Sequence, residues 1–356
     1  IQRDSLISNP SEQALFVNFS ESDLREELKS NKIILDGRGT GRSTQKGLEL
    51  LKEKKDVLQK NYALFYQKAI KYAGTSDVNF VVISSLGGGT GSSLTPFTLD
   101  FFSDMIKREG HDAVVSYVGI VSSPKEGAVT LPNCIKSFNA IYNQHVLTEK
   151  LRSCFLIDNR LFEKAHGFST YDFKSMNSLI IDHLAEMFDE ESYRVPAGGH
   201  QTLDVNEVRR VTQWGRGVAD FQTYDFSYSK KIDEPQDDVH VQSAIFGGRF
   251  KSSTAKAVAC YVQVKKKDFD MSEAELKQVS DSIVAFKKKF SGAFFVFGHS
   301  FNNKHIAKDY RFRVLVNGLD FPHSFETDVA RATKAVTKLK QDNHEFKINE
   351  GADLDF

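Results

Sequence analysis

Short apolar runs alternate with longer stretches of helical period through the first half of the chain. Ala14–Asn18, Asn79–Ser84, Ala113–Val121 and Ser153–Ile157 have the length and apolar content of strands. Between them, Gly47–Ala73, Leu94–Arg108 and Ile135–Lys150 have the length and spacing of amphipathic helices. Strand, helix, strand in repetition predicts an α/β chain whose parallel sheet is covered by helices on both faces. In such sheets ligands bind at the carboxyl ends of the strands, where loops run into helix N-termini.

Past residue 170 the pattern changes. Asp172–Phe188 carries Phe173, Met176, Leu179, Ile180, Leu184 and Phe188 at helical spacing, which predicts a substantially buried helix. Pro196-Ala197-Gly198-Gly199 then interrupts the chain. Gly215–Asp238 is polar and charge-rich and reads as an irregular connection. A second, smaller unit follows, in which Ala257–Lys265, Gly292–His299 and Arg311–Asn317 alternate like strands of a mixed sheet and Glu273–Lys289 is helical. His323–Lys340 predicts a final polar helix, and Asn349–Phe356, with Glu350, Asp353 and Asp355, a disordered acidic tail.

Composition narrows the functional classes. The chain has 356 residues, 40% of them hydrophobic, enough for a large core in two or three units or in one intimately joined pair. Lys+Arg and Asp+Glu both number 47, so nothing pulls the whole chain toward nucleic acid or an anionic membrane. Direct nucleic-acid binding is not evident, although a local basic patch is allowed. Apolar runs such as Phe80–Ile83 and Ala293–Phe297 are strand-sized, too short to span a bilayer. The chain opens on Ile1 rather than Met and shows no signal-peptide pattern. Its three cysteines, Cys134, Cys154 and Cys260, form no CxxC pair and read as buried small hydrophobes in a reducing cytoplasm. The ten histidines are scattered, and the sequence displays no metal site.

The sharpest chemical signal is Leu86-Gly87-Gly88-Gly89-Thr90-Gly91-Ser92-Ser93, between a predicted strand and a predicted helix. Glycines let an oxygen-rich ligand approach the backbone amides. The helix that follows offers unpaired N–H groups and a positive dipole end, and Thr90, Ser92 and Ser93 add hydroxyls. Together these make a phosphate cradle. It is not a P-loop, because no lysine follows the last glycine, and Ser92 stands where GxGxxG needs its third glycine. Gly37-Arg38-Gly39-Thr40-Gly41-Arg42-Ser43-Thr44 departs from a P-loop too, with Arg42 in the place of the lysine.

Gly87 to Ser92 resembles the GGGTGSG signature of the tubulin/FtsZ superfamily, with Ser93 in place of the last glycine. The resemblance runs along most of the chain in order. Ala14–Asn18 is similar to the second strand, whose terminal asparagine lies near the phosphates. Gly37, Gly39 and Gly41 belong to a stretch like the loop that senses the γ-phosphate. Glu126-Gly127 resembles the ribose-contacting pair, and Asp158-Asn159-Arg160-Leu161 the segment whose asparagine bonds guanine. Phe173 and Asn177, one helical turn apart, resemble the central-helix residues that stack on guanine and read its edge. Ile1–Ser8 resembles the end of the first helix, so the family's first strand and first phosphate loop are missing from the sequence. The loop after Val121 departs from FtsZ, and with the acidic tail this makes the chain most like the TubZ and PhuZ branch of plasmid and phage filament proteins.

Thr202-Leu203-Asp204-Val205-Asn206-Glu207 resembles the catalytic loop that enters the neighbouring subunit's nucleotide site, with Thr202 replacing an asparagine. Asp204 and Glu207 match its two acids, which hold the attacking water; an N-cap role for Asp204 is compatible with this. The resemblance thus implies residues 1–170 as a GTP-binding domain, 171–214 as central helix and catalytic loop, 215–343 as a C-terminal α/β domain and 344–356 as the tail. It further implies GTP/GDP with Mg²⁺, a head-to-tail homopolymer, an adaptor or DNA-bound partner, and the cytoplasm of a bacterium or phage-infected host. Three other readings remain open. One is an FtsZ-like division protein, and another a nucleotide-binding structural protein without turnover. The third, a dinucleotide oxidoreductase, needs an acidic residue about 20 positions beyond a strand-proximal GxGxxG, and none is found.

Overall fold

The structure is a computed structural model. It describes residues 14–21, 32–74, 78–123, 126, 130–159, 174–178, 180–181, 205–214, 217–228, 254–267, 270–301, 306 and 308–320. The final helix over 323–340, the tail, Phe173 and Asp204 lie outside these residues.

Strand β1 (Phe16–Ser20) pairs in parallel with β2 (Lys32–Gly37), Val17 opposite Ile33. Helix α1 (Thr44–Ala73) then leads to β3 (Val78–Ser85), α2 (Gly89–Glu109) and β4 (Ala113–Val121). Helix α3 (Thr130–Ile141) ends in one π turn, Tyr142–Val146, before β5 (Ser153–Asp158). The second half holds α4 (Val205–Thr212), β6 (Val218–Phe226), β7 (Ala257–Val264), α5 (Glu273–Lys289), β8 (Phe294–Ser300) and β9 (Tyr310–Leu319). Strands β3 to β9 form one seven-stranded sheet in the order β3-β4-β5-β6-β9-β7-β8. Its first four strands are parallel; β9 runs antiparallel to both β6 and β7, and β8 parallel to β7. The alternating first half is therefore parallel and the second half mixed, as the apolar pattern predicts.

Local chemistry sets the helix ends. Ser43 caps α1 by accepting from the Lys46 amide at 3.2 Å, so α1 starts three residues before the expected Gly47. Ser272 and Glu275 form a capping box, and α5 occupies the predicted range. An aromatic cluster seals α1 and α2 onto β3: Phe80 stacks between Phe102 (4.8 Å) and Tyr66 (5.3 Å), with Tyr62 beside Phe102. Phe286 of α5 closes one face of the mixed half against Tyr224 and Phe312.

One expectation is overturned. Val218–Phe226, read as part of an irregular connection, is the strand that joins the parallel half of the sheet to the mixed half, with Phe155 of β5 opposite Ala219. Its polar side chains misled the reading because Asp220, Gln222 and Thr223 are buried and Asp225 half-buried, and of these only the Thr223 hydroxyl has no partner among the described residues. Gln222 Nε2 donates to Asp220 and the Tyr224 hydroxyl donates to Gln222, while Arg311 of β9 grips Asp225 with two bonds of 2.6 and 3.0 Å. Strand β2, which carries only three apolar residues, Ile33, Ile34 and Leu35, was not anticipated either. No described helix is long and apolar enough to cross a membrane.

Candidate functional site

Because β3, β4 and β5 are parallel and nearly in register, their carboxyl ends at Ser85, Val121 and Asp158 fall along one edge of the sheet. The glycine loop leaves β3 at this edge. Gly88 is the N-cap of α2 and supplies no side-chain cap, so the amides of the first turn lack intrahelical partners and carry the positive end of the dipole. Helix α2 therefore begins at Gly89, not at the expected Leu94: the glycine motif is the helix's own first turn.

Each glycine there meets a different constraint. A Cβ on Gly91 would fall on the carbonyl oxygen of Ser85, and one on Gly89 on the Thr40 hydroxyl and 3.0 Å from the Ser43 carbonyl. Gly87 is hemmed in by Ser122 and Cys134. At Gly88 a Cβ would meet nothing within 4 Å among the described residues, so among them the loop is open on that side. Thr90 donates to Asn18 Oδ1 at 2.7 Å, which fastens β1 to the start of α2. The Ser92 hydroxyl is buried and pairs with Thr44 of α1 at 2.8 Å, and Ser93 donates to the Gly89 carbonyl at 2.6 Å. These two hydroxyls are bonded to α1 and within α2 and so help fix the loop's position.

The second glycine stretch packs against the first. Gly37, Gly39 and Gly41 have positive φ, as does Arg42 at 64°, a conformation that costs a side-chain-bearing residue roughly 1–2 kcal/mol. Two contacts hold Arg42 there: its guanidinium donates to the Glu126 carbonyl, and its own carbonyl accepts from Asn133 Nδ2 at 3.1 Å. Gly47 lets α1 close on the loop, because a Cβ there would strike Ser93 and lie 2.9 Å from the Gly89 carbonyl. Sequence reasoning missed Thr44, Gly47 and Asn133. Only Gly47 left a signal, a glycine in a helical stretch that costs about 1 kcal/mol unless packing requires it.

On the other side of the edge, Glu126 Oε1 accepts from the Ser123 amide at 2.7 Å and from Asn159 Nδ2 at 3.0 Å. The carboxylate fixes the amide of Asn159, since the flipped form would set two acceptors against each other. Asn159 is only 5% exposed, yet its Oδ1 has no partner among the described residues. A buried orphan acceptor costs about 1–3 kcal/mol, and a donor from a bound group would remove that cost. Cys134 Sγ accepts from the Ser122 amide at 3.3 Å; burial raises its thiol to about 11, so it is protonated at neutral pH and takes a structural role.

Asn177 lies exposed on the helical segment 174–178, whose Met176 faces inward. Glu207 sits half-buried in the first turn of α4. Asn18 is thus bonded to Thr90, the stretch 37–42 that carries Gly37, Gly39 and Gly41 meets Gly89 through Thr40 and Glu126 through Arg42, and Glu126 holds Asn159, so these residues and Gly87 to Ser92 share one sheet edge. Among the described residues no group of three or more His, Cys, Asp or Glu side chains could hold a metal ion.

Neither a protein-family model nor a curated protein matches the sequence. Solved structures do match the fold. The GTPγS-form protofilament of TubZ from Bacillus thuringiensis serovar israelensis superposes with a TM-score of 0.71 at 16% identity, covering 94% of this chain and 86% of that one. CetZ2 from Haloferax volcanii, a GTPγS-bound protofilament, gives 0.65 at 16% identity over 95% and 94% of the two chains. The empty FtsZ dimer of M. jannaschii gives 0.56 at 17% identity over 89% and 88%. With its parallel-to-mixed sheet and the glycine loop at the carboxyl edge, this chain has the tubulin/FtsZ fold.

Proposed function

We propose that the chain binds GTP at the carboxyl ends of β1 to β5 and hydrolyses it as subunits stack head to tail into a filament. The observation that carries this reading is the convergence of two glycine-bearing loops on an uncapped helix N-terminus with its open side at Gly88. The amides of that first turn hold the phosphates. Asn159, its Nδ2 already committed to Glu126, offers Oδ1 to a donor on the base, and Asn177 and Phe173 complete the base site. Mg²⁺ bound with the triphosphate would supply charge neutralisation at its oxygens. Asp204 and Glu207 act on the nucleotide of the next subunit, where a carboxylate accepts the proton of an in-line water. A contact of this kind joins unlike surfaces and need not close, which yields a polymer. The match to TubZ and CetZ2 protofilaments supports this reading.

Light scattering and electron microscopy with GTP, GDP and ATP test it. GTP-dependent filaments that shorten as phosphate is released are the expected result; assembly indifferent to the base, or none with GTP, refutes it. On the resemblance to the plasmid and phage branch, we propose DNA segregation or positioning as the filament's task, reached through an adaptor or DNA-bound partner in the cytoplasm. Plasmid loss caused by Asp204→Ala in cells tests that assignment, and faithful inheritance despite the substitution rejects it.

A further inference from the structure

We propose that Asn133 is a positioning residue that holds the two glycine-bearing loops at a fixed separation and so lets the chain tell a nucleoside triphosphate from a diphosphate. The inference rests on the nucleotide-binding reading above. Asn133 lies in the first turn of α3, outside both loops. Its Nδ2 donates to the Arg42 carbonyl at 3.1 Å and to the Gly87 carbonyl at 3.3 Å, one from each loop. An amide NH₂ has two hydrogens, so each carbonyl can take one.

The frame from which Asn133 reaches is itself pinned. The next residue, Cys134, accepts from the Ser122 amide, and a Cβ on Gly87 would lie 3.1 Å from its sulfur. The first turn of α3 is thus in register with the loops after β3 and β4. The stretch from Gly37 to Arg42 has no such rigidity of its own. Three of its glycines and Arg42 occupy positive φ, and glycine backbone is the most costly to order. Its conformation is imposed from outside: β1 holds its start through the Ser20–Gly37 pairing and the Ser20–Arg38 bridge, and its end is held by Thr40 against Gly89, the Arg42 guanidinium on the Glu126 carbonyl, and Asn133 on the Arg42 carbonyl. Of these, the Asn133 side chain alone bonds backbone of both glycine loops.

A ligand whose phosphates reach only the start of α2 depends on the Gly87–Gly91 side. One with a third phosphate spans both loops and depends on their separation. Loss of the bracket should therefore weaken triphosphate binding selectively.

The test measures GTPγS and GDP affinity of the full chain, below its assembly concentration, for wild type, Asn133→Ala, Asn133→Asp and Asn133→Gln. Asn133→Asp sets a carboxylate against two carbonyls and should lower GTPγS affinity most, by about tenfold or more; Asn133→Ala should lower it by about fivefold. GDP affinity should change by less than about twofold in both. Asn133→Gln keeps the donors on a longer arm and should recover part of the preference. If melting shows that the alanine or aspartate variant does not fold, the glutamine variant decides, and it must still show a measurably lowered GTPγS-to-GDP ratio. Equal weakening of both nucleotides, or an unchanged ratio in folded variants, overturns the bracket alone. A wild-type protein that binds neither nucleotide overturns the functional reading beneath it.

Discussion

Two glycines three positions apart in the same loop should respond to alanine in opposite ways. At Gly91 the new Cβ would fall on the Ser85 carbonyl oxygen and lie 3.0 and 3.3 Å from the Ser85 carbonyl carbon and amide nitrogen. All three atoms are backbone at the end of β3, so no rotamer change can make room. Relief requires the first turn of α2 to shift away from the sheet, and overpacking of this kind costs about 1–3 kcal/mol. At Gly88 nothing lies within 4 Å among the described residues, and the backbone, at φ −85° and ψ 157°, suits any residue. Its substitution should cost under about 1 kcal/mol, the difference between glycine and alanine at an N-cap. Thermal and urea unfolding should thus separate the two, with Gly91→Ala losing a few degrees and Gly88→Ala nearly matching wild type. Nucleotide titration should not separate them. Gly88→Ala should also weaken GTP binding, because its methyl group projects into the open side where the phosphates approach. A Gly91→Ala protein as stable as wild type, or full GTP affinity in Gly88→Ala, would refute the account of the cradle.

Asn159→Ala should weaken GTP binding by roughly 1–3 kcal/mol and reduce preference over ATP, since it removes a buried acceptor held by Glu126; calorimetry showing unaltered preference would exclude Asn159 from base recognition. Asp204→Ala should leave monomer GTP affinity intact yet lower turnover by about 10²–10⁴, with filaments that persist; undiminished phosphate release contradicts the catalytic assignment. His145 is fully buried in the π turn, and burial lowers its pKa, opposed by Asp100 and Asp104 and assisted by Lys150. A depressed imidazole binds fewer protons folded than unfolded, so its contribution to stability is present above about pH 6.5 and lost as pH falls through the window below it. In His145→Leu the fall in melting temperature between pH 7.5 and 5.5 should shrink; an unchanged fall would assign the acid sensitivity elsewhere.

Where a segment's own periodicity and caps agree, the sequence by itself determined the outcome. Ala113–Val121 is a strand and Glu273–Lys289 a helix over the predicted ranges, because a β-branched-rich, mostly apolar run and a Ser272–Glu275 box specify them locally. The glycine loop was equally legible as a strand-to-helix junction, because Ser122, Thr40 and Ser85 leave no room for side chains at Gly87, Gly89 and Gly91. What the tertiary structure alone decided involves partners distant in sequence. Val218–Phe226 looks like a connection until Arg311 and its own polar neighbours satisfy it inside the sheet. The hydroxyls of Ser92 and Ser93 carry no sign in the sequence of the partners they take, Thr44 of α1 and the Gly89 carbonyl. Asn133 carries no motif and gains its place only when α3 sets one amide between two loops 45 residues apart, at Arg42 and Gly87. Periodicity reports which face of an element is apolar, whereas the pairing of buried polar groups depends on which elements meet, and that is settled only when the sheet assembles.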